Sequence, residues 1–498
     1  MICFFWQILK YPLSHFDRSV LLFLLIDVFT CSAQNNNEKA IRLIKETIHT
    51  PSSSCLIKAK GTIYNLGHYN IPEKTVEIPL EDTYGFFPEE QVTYLYSQIQ
   101  NNGTFFTHEA VSKQDTLCEK KYYESKYKFS GKSVCDEFIF QVSKVWPEHL
   151  LRFALKNQKA LQWLRKEGKN DLISFSYKGN DVVILYINSR THQLTKVSQP
   201  FYDNVYGNTY HITEYSAYNK DGYPTHRVDW EYGIKERELT YESVQNGIKT
   251  DVISLKKLPD NFNQKLSERI DKRETLVWET LTPTLDLIKI QSQNNKVLVA
   301  HSGSQLALFE TPAGIDLNQQ ILEEIRTHYP DKTLGYLFVT HHHPDHAGGI
   351  YTYNTFPITL VTTPGNQSYF NKLLHASHSW AGYPSPVKSQ IQLDFVPLNG
   401  KKTFDTFGVT AYEIGKENGH TNEHLVYYFP QEKLLWTGDL LFFRTDGRIY
   451  SAGNRGKAVY DLIMKHNLVV DKIFTSWPLY NQKVFGTLEE LKKSVEAK

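Results

Sequence analysis

The sequence predicts two structural parts: a mainly antiparallel β (α+β) region, then an α/β region from Leu276 onward. Three observations predict this. A chain of 498 residues is too long for one ordinary core, so more than one domain is expected. The runs DLISFSY, DVVILYIN and LTKVSQ carry apolar residues with period two, separated by the turn signals YKGND and NSRTHQ. After Leu276 the order becomes strand, amphipathic helix, strand and a loop rich in metal-ligating side chains, which is an α/β arrangement.

The N-terminus reads as a targeting segment. Lys10 and Arg18 precede the apolar run SVLLFLLIDVF, too short to span a membrane permanently. The run ends in TCSAQNNN, where Cys31 and Ala33 fit the small-residue rule for cleavage before Gln34. Residues 1–33 are therefore expected to be a signal peptide, with the mature protein exported to the periplasm or secreted. Asp27 within the run is irregular; the competing readings are a lipidated Cys31, poorly suited by Phe29 and Thr30, and a buried N-terminal helix.

Residues 34–275 are expected to form the first mature domain. EKAIRLIKETIH places Ala40, Ile41, Ile44 and Ile48 on one helical face. A second helix is predicted from Pro147 to about Leu164, with proline in its first turn and a stripe of Leu150, Leu151, Ala154 and Leu161. The strands above follow, and HITEYSAYN leads through KDG into PTHRVDWEY. This meander with a few helices resembles the half-barrel domain of the lipoprotein-carrier type. The charged, turn-rich stretch 259–275 is expected to be a linker. Cys118 and Cys135 flank a hydrophilic segment that either closes as a disulfide loop or leaves free thiols; Cys55 has no nearby partner in sequence.

In residues 276–498, LDLIKIQSQNNKVLVA reads as a hairpin through Asn294 and Asn295. DLNQQILEEIRTHYP reads as an amphipathic helix with Asp316 placed to cap it, and LGYLFVT as a buried strand. The strand runs directly into HHHPDHAGG. Crowded neutral imidazoles make sense when a cation shares their lone pairs. His341 and His343, two apart as the chain leaves a strand, can point to one side and hold one zinc. Asp345 and His346, further round the loop, face a second position, and Ala347-Gly348-Gly349 lets the backbone turn tightly.

The stretch THHHPDHAGG, followed by GHT in ENGHTNEHLVYYF and then by TGDLLF, resembles the metallo-β-lactamase superfamily, in its glyoxalase II-like form. The resemblance covers about 276–498 and implies an αββα fold. It also implies His420 as the third ligand of the first zinc, and Asp439 bridging or orienting a second metal. One element departs from the family pattern. Where a last histidine usually stands, VVDKIFTSWPLYNQ carries Trp477, whose indole nitrogen keeps its proton and cannot ligate zinc. The second position is then left with Asp345, His346 and Asp439. His424 and His466 are possible substitutes, although surface or packing roles are commoner for such residues.

The chemistry expected from three imidazoles is hydrolytic. Zinc keeps an open fourth position for water, whose pKa falls from about 16 to about 7, and Asp345 is placed to accept its proton. The expected activity is cleavage of an ester, thioester, lactone or amide-like bond in a small molecule. An exported β-lactamase is one alternative, and a non-catalytic binding protein with a degenerate metal site is another. A net charge of +1 argues against a nucleic-acid partner. His375 and His378 are candidates to line the cleft, and Arg444 and Arg448 to bind a substrate carboxylate, although loop arginines are more often simply solvated.

Overall fold

The computed structural model describes residues 34–48, 54–101, 103–122, 127–176, 182–252, 273–383 and 388–497. The predicted signal segment, the YKGND turn and all but the last three residues of the predicted linker lie outside the described residues.

In the N-terminal region each strand pairs antiparallel with its neighbours in one thirteen-stranded sheet, whose edges are Lys128–Ser130 and Gln162–Glu167. Its centre is the pair Cys55–Leu66 and Ile234–Asn246, which joins the two ends of the meander. Helices Lys132–Ser143 and Pro147–Lys156 connect the edge strands and pack on the sheet. On the helix over 34–47, Ala40 and Ile44 are fully buried against Leu150, Leu151 and Ala154, while Ile41 and Ile48 pack at the margin.

The second helix is shorter than its apolar stripe predicts. It stops at Lys156, a tight turn over Gln158–Ala160 follows, and Gln162–Glu167 becomes an edge strand. Pairing of that strand with Asn170–Ser176 outweighs the local helical pattern. Leu161 is buried all the same, as a turn residue. Cys55, Cys118 and Cys135 are free, buried thiols, and burial pushes Cys118 and Cys135 up to about 11 and Cys55 to about 12.

The C-terminal region is a four-layer αββα sandwich. A seven-stranded sheet runs from Leu276–Thr282 to Gln392–Phe395, antiparallel over its first four strands and parallel over the rest. A five-stranded sheet runs from Lys401–Phe404 to Lys472–Phe474. Phe309, Phe338, Tyr427, Phe429 and Trp436 fill the space between the sheets. Trp436 is fully buried there, and its truncation to alanine would cost roughly 3–5 kcal/mol. Helices Ile315–His328 and Gln367–His375 cover the outer face of the larger sheet, and Gly453–Lys465 and Leu488–Glu496 that of the smaller.

The predicted hairpin forms, with Ile290 opposite Asn295, and the buried strand is Thr333–Phe338. Asp316 does not cap its helix. Gly314 holds that position, and the Asp316 carboxylate, in the first turn, accepts hydrogen bonds from Asn204 and Tyr383 instead. No helix among the described residues is long and apolar enough to cross a membrane.

Candidate metal centre

The buried strand Thr333–Phe338 delivers Val339 and Thr340 to the edge of the inter-sheet core, and the histidine loop begins there. Pro344 opens a one-turn helix, Pro344–Ala347, at a position where the N–H that proline lacks would have had no partner within the helix. The glycines after it are required for space rather than for an unusual backbone angle. Gly348 and Gly349 have φ of −65° and −93°, but a Cβ would meet the Ala313 carbonyl oxygen at 1.9 Å and the Asn318 amide at 1.7 Å.

His341, His343 and His346 are buried within this loop. His420 arrives from the loop before strand Leu425–Phe429, shaped by buried Asn418. The Asn418 amide oxygen accepts from the N–H of His420 (2.7 Å) and of Thr421 (3.1 Å), and its nitrogen donates to the Thr421 carbonyl (2.8 Å). Asp439 follows strand Leu434–Trp436.

These elements converge as two adjacent groups. Ligand atoms of His341, His343 and His420 all lie within 4.8 Å of one another, and so do those of His341, His346 and Asp439. His341 Nε2 and His420 Nε2 are 3.1 Å apart, close to the edge of roughly 3.3 Å that zinc–nitrogen bonds give a tetrahedron. Asp439 Oδ1 is 3.0 Å from His420 Nε2 and 3.9 Å from His341 Nε2. Three buried atoms here have no hydrogen-bond partner: Asp345 Oδ1, His346 Nε2 and Asp439 Oδ1. Orphaned donor atoms of this kind are costly unless a cation takes them, so the residues present fit a metal.

The protonation pattern points the same way. Thr340 Oγ1 donates to buried Glu310 (2.8 Å), so it accepts from His341 Nδ1 (3.0 Å) and leaves the His341 Nε2 lone pair facing the cluster. Burial, reinforced by the surrounding imidazoles, holds His341 well below the usual histidine range, and burial brings His343 to about 2. Both are neutral and able to ligate. Burial opposes a charge on His346, but Asp345 and Glu310 outweigh it and hold its pKa well above the usual value. A cation placed among the same carboxylates answers the same electrostatic demand as that proton.

The six residues expected at the site are thus brought together, with one difference in position. Asp345 stands at the rim, its side chain 41% exposed and its Oδ2 3.5 Å from His346 Nε2. His424 is fully buried but stacks on the His341 ring and contacts the Thr437 carbonyl, the packing role. His466 lies against Tyr412. His378 is buried against Tyr202 and Tyr351, and His375 meets its own helix backbone. Arg444 and Arg448 both pair with Asp446, at 2.7 and 2.6 Å, which leaves the carboxylate-binding expectation without support. Glu310 and Arg455 carry no local signal in the sequence. Glu310 braces Thr340, while Arg455 donates to the Asp439 carbonyl (3.3 Å) and lies 3.8 Å from its carboxylate.

Comparison with known proteins adds the family. Residues 291–498 match the family model described as metallo-beta-lactamase superfamily. This region is a metallo-beta-lactamase superfamily domain. Its curated relatives include hydroxyacylglutathione hydrolases of Pseudomonas aeruginosa (strain LESB58), 29% identical over 123 residues, and of Legionella pneumophila (strain Paris), 26% identical over 165 residues. These matches cover 24% and 33% of this chain, and the chain spans only 39% and 56% of those relatives. Among solved structures, the DIM-1 metallo-beta-lactamase is 14% identical with a TM-score of 0.34, covering 45% of this chain and 97% of that one.

In this metallo-beta-lactamase domain the late loop places Ser476, not Trp477, against a site histidine. Ser476 Oγ is 3.2 Å from His346 Nδ1, whereas the Trp477 ring packs edge-on against Phe442.

Proposed function

We propose that the protein is a zinc-dependent hydrolase acting on an ester, thioester, lactone or amide-like bond of a small molecule. The observation that carries this reading is the convergence of three imidazoles, His341, His343 and His420, with Asp439 against His420 and Asp345 against His346. When bound, zinc would acidify water to a pKa of about 7 and withdraw charge from the substrate oxygen.

The chain's own residues divide the remaining work. Glu310 and Thr340 keep His341 in the tautomer that exposes Nε2. Asp345 is held well below the usual carboxylate range: desolvation opposes this, but His346 and His68 prevail. The lowered pKa keeps the carboxylate ionised at the cleft rim, where it can accept a hydrogen bond from attacking water and orient it. Arg455 restrains Asp439 from behind. His346 and Asp439, with Asp345 beside them, are the donors for a second, weaker zinc.

Acylated thiols are the first substrates to try, because the curated relatives are named hydroxyacylglutathione hydrolases. The apolar run and cleavage pattern before Gln34 support export to the periplasm or beyond. The test is a panel of acyl-glutathione, a chromogenic ester, a lactone and a cephalosporin, run with zinc-loaded protein. Zinc-dependent turnover of at least one member, lost in the double variant His341→Ala/His343→Ala, is expected. Stoichiometric zinc with no turnover of any would overturn the hydrolase reading in favour of a binding role.

A further inference from the structure

The histidine loop is covered by the N-terminal sheet. Strands Cys55–Leu66 and Thr75–Phe87 are joined by the turn GHYNIPEK, residues 67–74, which lies directly on it. The Tyr69 carbonyl oxygen is 3.0 Å from His342 Nε2 and 3.0 Å from His343 Nε2. One residue on, the Asn70 carbonyl accepts from the Asn422 N–H (2.8 Å), in the loop that carries His420. His68 Nε2 stands 3.5 Å from Asp345 Oδ1, and its ring is 5.2 Å from that of His343. Glu73 pairs with Lys372 at the far end of the turn. The close approach depends on Gly67. Its φ is +94°, and a Cβ there would meet Pro344 Cγ at 2.9 Å and the Tyr206 hydroxyl at 3.0 Å.

We propose that this turn is a working part of the metal centre, with His68 as a positioning residue for Asp345 and the Tyr69 carbonyl as the anchor of the His343 ring. The inference rests on the zinc assignment above. A carbonyl can only accept, so His343 must place its proton on Nε2 and present Nδ1 to the cluster. A ligating histidine whose second nitrogen donates to a fixed carbonyl is held in tautomer and orientation. Here the fixing group comes from a different domain. Asp345 is partly exposed, and its two oxygens face two histidines: Oδ2 lies 3.5 Å from His346 Nε2, and Oδ1 lies 3.5 Å from His68 Nε2. Without His68, the carboxylate would be free to turn into solvent.

The experiment uses the full chain and three variants: His68→Ala, His68→Gln and Gly67→Val. Tight zinc affinity is measured by competition with a chromophoric chelator, and the ligand field by the visible spectrum of the cobalt(II)-loaded protein. Circular dichroism checks that each variant is folded. Loss of a partner that orients a ligand weakens metal binding by roughly 10–100-fold. That range is expected for Gly67→Val, whose side chain forces the turn off the loop. His68→Ala is expected to shift the cobalt spectrum, and His68→Gln, which keeps a donor, to restore part of it. His68 is half-exposed, so its replacement does not threaten folding. If folded His68→Ala and Gly67→Val both keep wild-type zinc affinity and cobalt spectrum, the inference is overturned while the hydrolase reading stands. If the wild type takes up no zinc, both are overturned.

Discussion

Thr340→Val tests how the centre is braced. Valine keeps the shape of threonine and removes only Oγ1, which donates to Glu310 Oε1 at 2.8 Å and receives His341 Nδ1 at 3.0 Å. All three residues are fully or almost fully buried, so water cannot replace the lost partner. A hydrogen bond to a charged group contributes about 1.5–3 kcal/mol, and a buried donor left unsatisfied costs about 1–3 kcal/mol. Glu310 retains the Thr340 N–H (3.3 Å) and the Trp436 indole (3.4 Å), so the two losses do not add in full. The expected destabilisation is about 2–4 kcal/mol, read from urea denaturation of the metal-free protein. The same change frees His341 to move its proton to Nε2, so zinc affinity should also fall by roughly 10–100-fold. A variant that is destabilised but binds zinc as tightly as wild type would refute the bracing of His341 through Glu310. One that loses neither stability nor affinity would refute the hydrogen-bonded chain itself.

Three further outcomes are expected. Asp345→Asn should keep the tight zinc equivalent and lose most turnover of a working substrate, measured as kcat; wild-type kcat would remove Asp345 from proton handling. Trp477→His should leave the zinc titration unchanged, because the side chain at 477 packs on Phe442 while its neighbour Ser476 faces His346. A second tight equivalent in the variant would show that position 477 reaches the metal after all. Alkylation of the denatured, unreduced protein followed by mass spectrometry should find Cys55, Cys118 and Cys135 all modified; a Cys118–Cys135 cross-link would contradict the free thiols.

Local periodicity made most of the layers legible. The hairpin at Asn294, the helix after Gly314 and the strand feeding the histidine loop each carry their own pattern. Local pattern misled where tertiary pairing decides, as at 157–167, where an apolar stripe continues past a helix that has already ended. It misled again at Asp316, a good capping residue two positions too late. The candidate site residues were readable because HxHxDH, GHT and TGD compress metal-type side chains into short stretches. Their supports were not. Glu310 lies 30 residues before Thr340 and Arg455 lies 16 after Asp439, and the Tyr69 carbonyl is 274 residues from His343. Such partners meet only once the sheets have stacked, and a backbone carbonyl leaves no trace in residue type.

Binding of zinc by His341, His343 and His420 is tested most directly by zinc content per chain, determined by elemental analysis of the purified full-length protein and of His341→Ala/His343→Ala. At least one tightly held zinc is expected in the wild type and none in the folded double variant. Equal zinc in both would contradict binding by these residues.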